Sequence, residues 1–374
     1  MNFKRHGLIA GIALTATLAL AACGSDNDEP SSSATGGASG GADTGSSVSC
    51  ASGTLTAQGS SAQGNAMAEW AKAYQQKCSG AQVNYQATAS GAGITAFQGG
   101  TADFAGSDSS LKAGDEQTKA AARCGGAPAL NLPMVTGPIA VAYNLDGVKD
   151  LQLKPETIAK IFAGTIKTWD DAAIKADNPS ATLPSTAILA VHRGDSSGTT
   201  ENFTNYLTAT APSVWTFGKD KVWKAPGGSG EQKSDGVAGA IKKTAGAIGY
   251  VEWSFAKTNT LSTAKVFNGA GEYTALTGEA AGKTIAGAKI TGTGDDLAMT
   301  IDYSTKEAGA YPIVLVTYEI VCSKGNAADK LKLLQGFLGF TSSKDGQAQL
   351  DKLGYAPLPE TVRAKVESSV KNLA

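Results

Sequence analysis

The chain has 374 residues, long enough for two domains, and 32 basic against 33 acidic side chains leave a formal charge of −1. That balance excludes a basic nucleic-acid binder and a highly charged disordered chain, and 42% apolar residues suffice for a sizeable core. Of the two histidines, His6 lies in the leader, so the body keeps His192 alone, which argues against a histidine metal site or a histidine relay.

Lys4, Arg5 and His6 precede an apolar run, Leu8 to Ala22, that is too short to span a bilayer comfortably. Residues 1–22 therefore read as a signal peptide. The run ends Leu20-Ala21-Ala22-Cys23-Gly24, which resembles the bacterial lipobox and implies lipidation of Cys23. Gly24 to Ser49 has Val48 as its only large apolar residue, so 23–49 is expected to be a lipidated cysteine with a disordered Ser/Gly linker of about 25–30 Å span.

Beyond it the pattern alternates. Gly53–Ala57 reads as a strand and Asn65–Lys77 as a helix, with Met67, Trp70 and Tyr74 at helical spacing. Gln82–Gln86 alternates as a strand, Ile94–Gln98 begins a helix, and Ala102–Gly106 is strand-like. Ala129–Val135 and Ile139–Tyr143 are two further β runs, followed by a helix over Pro155–Phe162. Ile188–His192 is a buried strand before a helix over Thr199–Thr208, Ala247–Val251 is another strand, and Pro312–Val321 is the most strand-like stretch. Ala327–Leu338 and Asp345–Leu353 read as helices. The alternation predicts an α/β protein with parallel sheets.

Three Gly/Ser turns put small hydroxyl residues before a helix: Gly59-Ser60-Ser61, Ala89-Ser90-Gly91-Ala92-Gly93, and Gly194-Asp195-Ser196-Ser197-Gly198-Thr199-Thr200. Each alone fits an ordinary N-cap. Together, with free N–H groups and helix dipoles, they suit an anion. In the third turn Arg193 adds a forked permanent cation, Ser197 and Thr199 add hydroxyls, Gly198 permits close backbone approach, and Asp195 can hold the guanidinium in orientation. A serine nucleophile would need a base, and His192 lies in the strand before the turn. The Gly-x-x-x-x-Gly-Lys-Ser/Thr phosphate loop is absent. With Cys23 assigned to lipid, Cys50, Cys78, Cys124 and Cys322 remain, an even set suited to disulfides; no Cys-x-x-Cys pair supports a zinc site.

From Thr54 onward the chain resembles the phosphate-binding lipoprotein of the bacterial phosphate-specific ABC importer. The resemblance rests on Val83-Asn84-Tyr85-Gln86 leading to Ser90-Gly91-Ala92-Gly93-Ile94, on Ala102-Asp103-Phe104-Ala105-Gly106-Ser107-Asp108, and on Gly164-Thr165-Ile166-Lys167-Thr168-Trp169-Asp170-Asp171. The Arg193–Thr199 turn, Gly246-Ala247-Ile248-Gly249-Tyr250-Val251-Glu252 and Tyr311-Pro312-Ile313 complete it. It implies a type II periplasmic-binding-protein fold, two lobes joined by two hinge strands around a ligand cleft. Lobe one is then 50–135 plus 312–374 and lobe two 136–311.

By position, the resemblance assigns phosphate contacts to Ser61, Ala62, Ser90, Asp108, Arg193, Ser197, Gly198 and Thr199. The first turn departs from the family's Thr-aromatic pair, and Ser60 is the alternative to Ser61 by one residue. Asp108 suits a protonated oxyanion, because it can accept a hydrogen bond from monohydrogen phosphate and not from sulfate. The implied topology pairs Cys50 with Cys78 and Cys124 with Cys322. The expected partners are phosphate, the importer's permease subunits with their ATPase, and a membrane through lipid on Cys23; a monomer, extracytoplasmic, with no cofactor, no metal and no enzymatic activity. The competing readings are a binding protein for sulfate or molybdate, a phosphomonoester hydrolase, and a signalling or adhesive protein that merely keeps the fold.

Overall fold

The computed structural model describes residues 48–374. The expected leader, Cys23 and nearly all of the linker lie outside the described residues. Nine strands among the described residues share one large sheet. They are Gly53–Gly59 (β1), Ala81–Ala87 (β2), Phe104–Ser107 (β3), Ala129–Tyr143 (β4), Leu189–Arg193 (β5), Ser229–Glu231 (β6), Ala247–Glu252 (β7), Ser262–Thr263 (β8) and Val314–Cys322 (β9). Their order is β2-β1-β3-β9-β4-β7-β5-β6, with β8 beside β4.

The sheet is mixed, which corrects the expectation of parallel sheets. β1 runs parallel to β2 and β3, and β5 runs parallel to β6 and β7. β9 runs antiparallel to both β3 and β4, and β4 runs antiparallel to β7. The βα alternation is local and sets the parallel pairs; β4 and β9 join the two parallel groups, and pairing between segments so far apart in the chain leaves no local pattern.

The two β runs expected over 129–143 are one strand. Its first part pairs with β9 and its second with β7. Pro133 lacks a ladder donor, and the register shifts beside it, where Val135 and Pro133 face Thr317 and Tyr318 in turn. Helices fill the crossovers: Gly64–Lys77 (α1), Ser90–Gln98 (α2), Asp115–Arg123 (α3), Pro155–Phe162 (α4), Gly198–Thr210 (α5), Lys233–Lys243 (α6), Ala328–Ser342 (α7) and Glu360–Lys371 (α8). α1 buries Met67, Trp70 and Tyr74, the stripe its spacing predicts. The helix expected over Asp345–Leu353 is two short ones, Lys344–Gln347 and Leu350–Leu353. α3, α6 and α8 were not expected; α3 is mostly polar, while α8 buries Val362, Val366 and Val370 at a helical spacing that the reading passed over.

The buried side chains form two main clusters. One contains Leu55, Trp70, Phe104, Leu132, Phe337 and Tyr355. The other contains Val141, Phe162, Trp169, Val191, Phe203 and Tyr250. Leu297 packs into the first of these, although it follows the elements of the second in the chain. Disulfides join Cys50 to Cys78 and Cys124 to Cys322, the pairing that the resemblance implies. No helix among the described residues is long and apolar enough to cross a membrane.

Candidate anion-binding site

Four chain turns meet at one place, each between a strand and the start of a helix. β1 leads through Ser60, Ser61, Ala62 and Gln63 into α1; Ser90 opens α2; β5 leads through Asp195 and Ser197 into α5; and Ser234 lies in the first turn of α6. Free amide groups and the positive ends of four helix dipoles are thus gathered.

Asp108 follows β3 and sits among hydroxyls, 3% exposed. Its Oδ1 accepts from Ser60 Oγ at 2.5 Å and Thr317 Oγ1 at 2.8 Å, and its Oδ2 accepts from Ser90 Oγ at 3.0 Å. A carboxylate has about four acceptor positions. Three are filled, so one remains, on Oδ2. Burial lifts this carboxyl from 3.8 to about 6; the Ser60 hydrogen bond opposes the rise and buried Glu252 adds to it.

Arg193 ends β5 and is 2% exposed. Its Nε and Nη2 donate to the two oxygens of Asp195 at 2.6 and 2.7 Å. Burial works against its charge, but the Asp195 fork outweighs burial and raises its pKa. Its Nη1 lies 3.4 Å from both Thr199 Oγ1 and Ser234 Oγ. Ser61 Oγ shares a 2.9 Å hydrogen bond with Ser234 Oγ. Ser197 caps α5, its Oγ accepting from the Thr200 amide, and the Ala62 amide donates to Ser60 Oγ at 3.0 Å.

The third turn touches the second. The Gly198 amide donates to Ser90 Oγ at 3.2 Å. A Cβ on Gly198 would lie 2.6 Å from Asp108 Cβ and 2.7 Å from Ser90 Oγ, so the contact requires glycine. Asn202 braces the same seam, donating to the carbonyls of Asp108 and Gly198 at 2.7 and 2.8 Å. The three turns that the sequence singles out therefore lie together around Asp108. The first turn contributes two hydroxyls with separate tasks, Ser60 toward Asp108 and Ser61 toward Ser234.

A PBP superfamily domain model matches residues 44–345. The chain is 43% identical to the phosphate-binding protein PstS 3 of Mycobacterium tuberculosis over the whole of both chains. The chain belongs to the PstS family of phosphate-binding proteins. PstS 2 of the same organism is 41% identical over both full lengths, and PstS of Pasteurella multocida is 33% identical over 85% of this chain and 90% of its own. A periplasmic phosphate-binding DING protein solved with phosphate superposes with a TM-score of 0.70 at 21% identity, covering 84% of this chain and 93% of its own. The phosphate-binding protein of Stenotrophomonas maltophilia superposes at 0.63 and 20%, with the same coverage. These likenesses show that the fold is that of the periplasmic phosphate-binding proteins.

Sequence reasoning missed several residues of this cluster. Ser234 follows Gln232-Lys233 at a helix start, a cap-like signal too weak to single out. Thr317 is one β-branched residue within a nine-residue buried strand. Asn202 lies inside α5. Glu252 was visible only as a charge ending a buried strand; it is fully buried, and Thr199 Oγ1 donates to its Oε1 at 2.5 Å.

Proposed function

We propose that this protein captures inorganic phosphate between two lobes and delivers it to an ABC importer. The observation that carries the reading is Asp108, a buried carboxylate with one acceptor position left, in a site rich in donors where Asp195 is taken up by Arg193 and Glu252 accepts from Thr199. A protonated phosphate oxygen supplies the missing hydrogen. Sulfate at neutral pH carries none, and its binding would set an unpaired carboxylate against an oxyanion, a cost of several kcal/mol. Arg193, with Nη1 held only by long contacts, supplies cationic donors to the other oxygens.

We assign the lobes as residues 50–135 with 312–374, and 136–311. The division of the buried side chains into two main clusters supports this, apart from Leu297, which falls within 136–311 but packs in the first cluster; the passage of β4 and β9 between the clusters supports it as well. Ser60, Ser61, Ser90 and Asp108 then face Arg193 to Thr199 and Ser234 across the cleft, and phosphate holds the two sides closed. The ligand contacts are Ser61, Ala62, Ser90, Asp108, Arg193, Ser197, Gly198 and Thr199, with Asp195 orienting Arg193. The protein works as a monomer without chemical turnover, tethered outside the cytoplasm by lipid on Cys23. Names of relatives that bind phosphate support the ligand class.

Calorimetric titration of the full-length protein with phosphate, arsenate and sulfate tests the reading. Saturable binding of phosphate without sulfate binding is expected; equal binding of both anions overturns it.

A further inference from the structure

Another buried acid lies beneath the site with no assigned task. Glu319 stands in the middle of β9, fully buried, its ladder partners Gly106 on β3 and Leu132 on β4. Neither carboxyl oxygen has a hydrogen-bond partner, and no cation pairs with it among the described residues. Residues opposite each other in an antiparallel ladder share a face. On that face Gly106 leaves room: a Cβ there would lie 2.2 Å from Gln63 Nε2 and 2.3 Å from Tyr85 Oη. Gln63 and Tyr85 thus fill the space next to Glu319. Gln63 Nε2 donates to Tyr85 Oη at 3.0 Å, Tyr85 Oη donates to the Ser60 carbonyl at 2.8 Å, and Ser60 Oγ donates to Asp108. A hydrogen-bonded path thus runs from Gln63, beside Glu319, through Tyr85 and Ser60 to Asp108.

We propose that Glu319 is kept as a neutral acid under the Ser60–Gln63 turn, and that its ionisation in alkaline solution weakens phosphate capture. The inference rests on the phosphate reading above. A buried carboxylate without a cation pays the full desolvation cost, so the proton stays. The ionisable groups facing Glu319 are Asp108 beyond β3 and Tyr85 on β2; β4 presents Leu132 and the turn before α1 presents Gln63, neither of which ionises. Burial pushes the Glu319 carboxyl from 4.5 to about 8; the Gln63 amide beside it pulls down and Asp108 pushes up. A phosphate dianion adjacent to Asp108 makes Glu319 hold its proton more tightly still. Binding above about pH 8 must then take up a proton, and affinity falls by up to about tenfold per pH unit.

The experiment is phosphate titration of the full-length protein at pH 7, 8 and 9, beside Glu319→Gln. Phosphate is already almost wholly the dianion at the upper two. The wild type is expected to weaken about threefold to fivefold from pH 8 to pH 9. Glu319→Gln is expected to bind within about threefold of wild type at pH 7 and to stay flat. A wild type that does not weaken, or a variant that weakens as much, overturns the inference while leaving phosphate binding at pH 7 intact. Failure of the wild type to bind at pH 7 instead overturns the phosphate reading. Infrared spectra of the wild type add a readout without any variant: a protonated carboxyl band present at pH 7 and lost by pH 9.5 is expected, and its absence at pH 7 overturns the inference.

Discussion

Arg193 and Asp195, two residues apart, are joined by two parallel hydrogen bonds that use Nε and Nη2 and leave Nη1 toward Thr199 and Ser234. The fork decides which face of the guanidinium a ligand meets. Asp195→Ala strands a buried cation, and loss of one partner of such a pair costs about 3–5 kcal/mol. Urea unfolding of this variant should show that drop. Replacing both residues by apolar ones should restore most of the stability while leaving phosphate binding abolished.

Asp108→Asn exchanges an acceptor for an amide that can also donate. Its expected signature is a change in selectivity: sulfate binding becomes measurable, and the preference for phosphate over sulfate falls at least about tenfold, or roughly 1.4 kcal/mol. Paired titrations with the two anions read the ratio. A variant that rejects sulfate as well as the wild type would remove Asp108 from the account of specificity.

The same carboxyl has a pH signature. Its proton affinity is raised on folding, from 3.8 to about 6, so the folded chain keeps a proton that the unfolded chain releases. Its contribution to stability is therefore full at low pH, declines between about pH 4 and pH 6, and is level above. The difference in Tm between Asp108→Asn and the wild type should change across that window, by roughly 3 kcal/mol in stability, and hold constant from pH 6.5 upward. Thermal melts of the unliganded protein at half-unit pH steps check it.

The two disulfides close loops of very different length, 28 and 198 residues of separation. Chain entropy assigns about 3.6 kcal/mol to the first and about 5 kcal/mol to the second. Replacing Cys124 and Cys322 together by serine should lower the unfolding midpoint more than replacing Cys50 and Cys78. Denaturant curves of the two double variants rank them.

Local signals carried the fold as far as they reach. The Met67, Trp70, Tyr74 stripe and the Pro155–Phe162 helix could be read directly, because a buried helix face repeats within a few residues. The antiparallel insertion of β9 between β3 and β4 could not, because these partners lie about 210 and 185 residues earlier in the chain. The site divides in the same way. Ser90, Arg193 and Gly198 announce themselves through turn chemistry before a helix. Thr317, Asn202, Glu252 and Glu319 matter only through what tertiary folding brings against them, and a threonine within a strand looks like any other β-branched residue.

The place of β9 in the sheet also bears on when the structure can form. β1 to β3 and β4 to β7 are present early in the chain, yet the strand that links them arrives only with Val314–Cys322. Until then β3 and β4 expose unpaired edges, and Phe104 and Leu132 lack Phe337 and Tyr355 from the last part of the chain to complete their core. Contacts of such long sequence separation fold slowly. A growing chain of this protein therefore stays open, without its native centre, until about nine-tenths of it has been made.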